Sequence, residues 1–142
     1  MHMWRFALIG LLPSVFAGAA PLTSQTPVSN FRLPTFNQNG HRSMLIQGAS
    51  AVVGPSEIEL TDLNLTLFAG DKKDIIETII LSPQAVAELE NERIHGSHSV
   101  RVIRDDLEIT GEKWSYDHRE KKVSIATKAR IVFYAPLPDI LK

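Results

Sequence analysis

The chain holds five histidines and no cysteine, so any metal or nucleophilic chemistry must be assembled from His, Asp, Glu and Ser. His95-x-x-His98 is the one close histidine pair, and His118 lies beyond it. Imidazole nitrogens suit zinc, but a tetrahedral site wants further donors, and positions i and i+3 of a strand point to opposite faces. Joint chelation would need Gly96 to bend the chain, and no cysteine or well-placed acid completes the set. No metal and no other cofactor is expected. Ser97 and Ser99 flank His98, yet neighbours in sequence are not an assembled triad, and no Gly-x-Ser-x-Gly elbow occurs. Asp105-Asp106 reads as a tight turn, and Glu88, Glu90 and Glu92 as a solvated connection. The reactive residues therefore point to a protein that is not an enzyme.

The elements that must position these side chains are strands. Leu107 and Ile109 share one face of an extended segment, Trp114 and Tyr116 share one beyond Gly111, and Val123 and Ile125 resume the alternation after the polar turn at 118–122. A ribbon greasy on one side cannot bury its own face, so it needs more strands or an apolar ligand.

Upstream, residues 31–36 form a short strand that Pro34 confines to a sheet edge, because proline cannot donate a ladder hydrogen bond. Asn37 to Gly40 is a turn. Ser43 to Gln47 is a second strand with a bend at Gly48, and Ala51 to Val53 is a third piece that stops at Gly54-Pro55. In the run from Glu57 to Phe68, Ile58 and Leu60 fall on even positions but Leu63, Leu65 and Leu67 on odd ones. A β-bulge or a corner near Thr61-Asp62 would keep both sets inward.

Residues 75–81 read as a strand, and Ser82-Pro83 followed by Ala85, Val86 and Leu89 leaves a helical turn at 83–89 as the alternative. Strands resume at Arg93. Val100 to Arg104 and Leu107 to Thr110 form a hairpin around Asp105-Asp106, and Val123 to Tyr134 pauses at Lys128. Leu45 to Val52 echoes Arg93 to Val100, each with glycine as its fourth residue, which suggests a repeated β-unit bent at glycines.

The 142 residues suit one domain, and 44% hydrophobic residues suffice for a core. A formal charge of -1 carries no polyelectrolyte signature, and no nucleic-acid partner is expected. Arg5, the apolar run from Phe6 to Phe16 and the Ala17-Gly18-Ala19-Ala20 segment fit a secretory signal over residues 1–19, cut after Ala19. An uncleaved anchor is the competing reading, but the run falls short of the roughly 20 residues that span a bilayer, and Pro13 interrupts it. Residues 20–30 read as a flexible linker, 31–134 as the folded domain and 135–142 as a tail.

Val100-Arg-Val, Leu107-Glu-Ile-Thr-Gly-Glu-Lys-Trp-Ser-Tyr-Asp, Lys122-Val-Ser-Ile and Ala129-Arg-Ile-Val-Phe resemble the OstA-like/LptC group of periplasmic lipopolysaccharide-transport proteins. The resemblance spans residues 31–134 and is strongest over 93–134. It implies an all-β, open, twisted antiparallel β-jellyroll whose apolar groove shields the acyl chains of lipopolysaccharide. It also implies two further partners: inner-membrane ABC transporter subunits, and another β-jellyroll bridge protein joined by edge-strand pairing. The group has no catalytic residues. LptC proteins keep an N-terminal anchor, whereas this N-terminus reads as cleavable, which leaves a soluble, LptA-like role open.

Alternation places Leu65, Leu67, Val100, Val102, Leu107, Ile109, Trp114, Tyr116, Val123, Ile125, Ile131 and Phe133 inward, as core or groove. An alternative function is an exported β-sandwich that binds carbohydrate or protein through an exposed Trp114 and Tyr116 face. The basic group Lys121, Lys122, Lys128 and Arg130 fits strand ends that use lysine to block edge pairing.

Overall fold

The structure, a computed structural model, describes residues 26–134; the expected signal segment at 1–19, the other residues up to Gln25 and the tail from Ala135 lie outside the described residues. Seven strands follow one another: β1 (Val28–Phe36), β2 (Arg42–Val53), β3 (Glu57–Phe68), β4 (Ile76–Glu88), β5 (Arg93–Ile103), β6 (Leu107–Asp117) and β7 (Lys122–Phe133). They form one antiparallel sheet in sequence order, with β1 and β7 at its edges. Pro34 lies on edge strand β1, as its missing donor requires.

The ladder starts earlier than the sequence suggests. Val28 and Ser29, read as linker, pair with Ala51 and Ser50, because β2 runs unbroken through Gly48 and offers them partners. Residues 83–89 form no helical turn: β4 passes through Pro83, and Ala85 and Ala87 alternate into the core.

A seven-stranded sheet cannot bury its apolar face while flat, and this one folds along a line that crosses every strand. Four residues on that line are left-handed: Asn30 (φ 54°), Asp62 (φ 56°), Lys113 (φ 58°) and Lys128 (φ 57°). Gly48, Pro83 and Gly96 occupy it on the other strands, as the pairings Phe31 with Gly48, Leu63 with Ser82 and Gly96 with Trp114 show. A left-handed residue turns the strand and changes the inward spacing from two to three. The inward series accordingly steps from Leu60 to Leu63 and from Gly111 to Trp114, and in β4, which has no left-handed residue, the step from Ser82 to Ala85 passes over Pro83.

The parity change in β3 is therefore real, but no residue is inserted. Thr61 faces Gln84 and Leu63 faces Ser82 in one unshifted register. Gly96 is required by close approach, since a Cβ there would lie 2.7 Å from the Gln84 carbonyl oxygen and 2.7 Å from Trp114 Nε1.

Folding makes two leaves of the one sheet. Leaf A carries the β1–β2, β3–β4 and β5–β6 turns, and leaf B carries the β2–β3, β4–β5 and β6–β7 turns. The core between them holds Ile46, Leu60, Leu63, Leu65, Ile80, Val100, Val102, Trp114 and Tyr116. Trp114 also donates from Nε1 to Ser82 Oγ (3.2 Å), and Ser82 donates to the Ser99 carbonyl (2.6 Å), so the polar atoms at the fold line are satisfied.

Candidate functional site

The leaves do not close completely, and two cavities remain between them. One, of about 490 Å³, is lined by Leu33, Phe36, Met44 and Ile46 of leaf A and by Leu89 and Ile94 on the leaf B side. The second, of about 500 Å³, is lined by Leu67, Phe68, Val102 and Ile109 of leaf A and by Tyr116 and Val123 of leaf B. Both volumes fall within the roughly 300–1,000 Å³ of small-molecule sites. Alternation supplies Leu33, Met44, Ile46, Ile94, Leu67, Val102, Ile109, Tyr116 and Val123 as inward members of their strands, whereas Leu89 comes from the β4–β5 turn and Phe36 and Phe68 sit at strand ends where the register shifts.

A polar cross-tie lies where the cavities meet, for Asn37, Ser43 and Lys121 line both. His118 Nδ1 is 2.9 Å from Tyr116 Oη, and His118 Nε2 is 3.3 Å from Ser43 Oγ, which joins the β6–β7 turn to β2. Ser43 Oγ in turn lies 3.0 Å from Thr35 Oγ1. Burial, reinforced by the Lys121 charge, holds His118 below the ordinary imidazole pKa, against the opposing pull of Glu92 and Asp117. Burial, with Asp117 and Glu77 adding, pushes the Tyr116 phenol up. Both groups are thus held neutral inside the trough near pH 7.

The twelve residues read as inward divide into three groups. Leu65, Leu67, Val100, Val102, Trp114 and Tyr116 are buried. Leu107, Ile109, Val123 and Ile125 are partly buried, and three of them, Ile109, Val123 and Ile125, pack on the core. Ile131 (51% exposed) and Phe133 (66%) pair with Ile109 and Leu107 but have no leaf opposite them, so the trough is open beside β7. Leu33 and Met44 were missing from the inward set. The inward pattern Phe31, Leu33, Thr35 was present in the sequence, and pairing Leu33 with Ile46 would have found it.

The aromatic platform is corrected. Trp114 and Tyr116 are each 2% exposed, because three-residue spacing at the fold line turns them into the core; they cannot offer a face to a sugar. The histidines do not converge either: His95 Nε2 lies 2.8 Å from Glu88 Oε2, while His118 is engaged by Tyr116 and Ser43.

These features define a class, a single antiparallel sheet folded on itself into an open β-jellyroll with an apolar trough and, among the described residues, β1 and β7 as its edges. No protein-family model matches the sequence, and no curated protein does. Among solved structures, the fold is similar to that of LptH, "the LptA homologous periplasmic component of the conserved lipopolysaccharide transport device from Pseudomonas aeruginosa". The TM-score is 0.53 at 13% identity, over 79% of this chain and 94% of that one. The likeness is one of fold, and it agrees with the all-β jellyroll expected from the sequence.

Proposed function

We propose that this chain is a periplasmic bridge component for lipopolysaccharide, holding acyl chains in the trough between its leaves while the sugars stay in water. The observation that carries the reading is the pair of apolar cavities in a sheet left open beside β7, in a fold shared with a periplasmic lipopolysaccharide-transport component. The physics suits such a cargo: each buried methylene contributes about 0.8 kcal/mol, so an apolar trough retains a multi-acyl lipid without directional contacts. Ile109, Val123 and Leu33 are the wall residues assigned to the lipid, with Ile131 and Phe133 at the opening. Leu65 and Val100, fully buried in the core, serve packing instead.

In this role the free edges β1 and β7 join the chain to a second β-jellyroll protein by strand addition, next to inner-membrane ABC transporter subunits that supply the energy. Residues 1–19 direct export. Photo-crosslinking in cells tests the reading: probes replacing Ile109, Val123 or Leu33 should capture lipopolysaccharide, and a probe replacing outward-facing Glu59 should not. Absence of an adduct at all three wall positions would overturn it.

A further inference from the structure

A second site is assembled on the other side of the sheet. Ile58, Ala87 and Ile94 point into the core, so their neighbours Glu57, Glu88 and His95 lie on the outer face of leaf B. Glu57 faces Glu88 directly across the β3–β4 ladder, and His95, on β5, faces Val86 two residues from Glu88. One ligating atom from each of the three lies within 4.8 Å of the others. Glu88 and His95 meet across the β4–β5 hairpin, and only the fixed β3–β4 register brings Glu57, far away in sequence, beside them.

We propose that Glu57, Glu88 and His95 form a divalent metal site of the zinc class, with a fourth position left to water or an exogenous donor. Three chemical features favour a metal. Two carboxylates directly opposite one another on antiparallel strands repel, and a shared cation removes that repulsion. Imidazole with carboxylate suits zinc, whereas magnesium and calcium prefer all-oxygen sets. The orientation of Glu88 is also fixed in advance: Asn91 Nδ2 donates to its Oε1 (2.9 Å), leaving Oε2 turned to His95 Nε2 at 2.8 Å. Outer-shell hydrogen bonds of this kind orient metal-binding carboxylates.

The competitor is Arg93, whose Nη1 is 3.4 Å from the same Oε2. Arg93 is about half exposed and can swing to solvent, so a metal exchanges a surface ion pair of small worth for coordinate bonds. Ligating atoms in a tetrahedral zinc site with bonds of about 2.0–2.2 Å are roughly 3.3 Å apart. Closing the cluster from 4.8 Å therefore takes side-chain rotation on an unchanged ladder. A cavity of about 660 Å³ lined by His95, His98, Glu59 and Gln84 adjoins it, giving an exogenous donor room to approach.

Equilibrium dialysis of the full chain, purified metal-free, against Zn²⁺ tests this. One zinc per chain is expected, with His95→Ala and Glu88→Gln each weakening binding at least tenfold and Glu59→Gln leaving it unchanged. Circular dichroism and thermal melts of each variant separate loss of ligand from loss of fold. No stoichiometric zinc, or zinc binding indifferent to His95→Ala in a folded variant, would overturn the proposal. Glu57 and His95 line neither trough cavity, while Glu88 borders the one of about 490 Å³, so lipid binding is a separate measurement, made on the His95→Ala variant.

Discussion

Lys113 is a lysine in a conformation that favours glycine, and replacing it should raise stability. Its φ of 58° places the β-carbon against its own backbone, a cost of about 1–2 kcal/mol in L-residues. Glycine avoids that cost but loses roughly 0.5–1 kcal/mol through the greater freedom of the unfolded chain. The balance for Lys113→Gly is a gain of about 0.5–1 kcal/mol. Ser115, two residues on in the same strand, is extended and pairs with His95 and Ser124. Ser115→Gly has no strain to relieve and should lose about 0.5–1 kcal/mol. The two variants thus differ by about 1–2 kcal/mol, equivalent to roughly 4–8 °C in Tm for a domain of this size. Thermal melts followed by circular dichroism measure it. If Lys113→Gly lowers Tm as far as Ser115→Gly does, the fold line is not maintained by left-handed residues.

Other expectations concern the bend and the cross-tie. Gly96→Ala should destabilise the protein by about 1–3 kcal/mol, since its new Cβ meets a backbone carbonyl that cannot step aside; an unchanged urea midpoint would contradict that close approach. His118 titrates at lower pH in the folded protein than its ordinary 6.5, so the unfolded chain takes up its proton first. Stability contributed by neutral His118 is then complete above pH 6.5 and declines as pH falls from there through the folded value. His118→Gln should flatten that slope in pH-dependent denaturation, and an identical slope would assign it to other groups. Trp114→Phe should cost about 1–3 kcal/mol, because Ser82 loses a buried donor and the smaller ring leaves a void.

Much of the fold was legible in the residues. Alternation located the strands, Pro34 marked an edge, and the Ile58/Leu60 against Leu63/Leu65/Leu67 switch exposed the bend of β3. The same bend was hidden elsewhere for physical reasons. In β4 the inward residues after it are Ala85 and Ala87, too small to read as a hydrophobic face, and in β6 the inward residue before it is Gly111, with no side chain at all. Trp114 and Tyr116 looked equally suited to core or ligand, because alternation gives a face and not its depth; the folding of one leaf onto the other decides for core. The outer cluster escaped notice since Glu57 joins Glu88 and His95 only through the β3–β4 register, which a single sequence does not specify.

Equilibrium binding of purified lipopolysaccharide to the full chain is the most direct test of the trough. The wild-type chain should bind, and Ile109→Glu, placing a charge on the cavity wall, should weaken binding at least tenfold while the melt confirms a folded protein. Ser115→Glu, on the outer face, should bind as the wild type does. Lipopolysaccharide that fails to bind the wild type, or that binds Ile109→Glu and Ser115→Glu equally well, would contradict a lipid-holding interior.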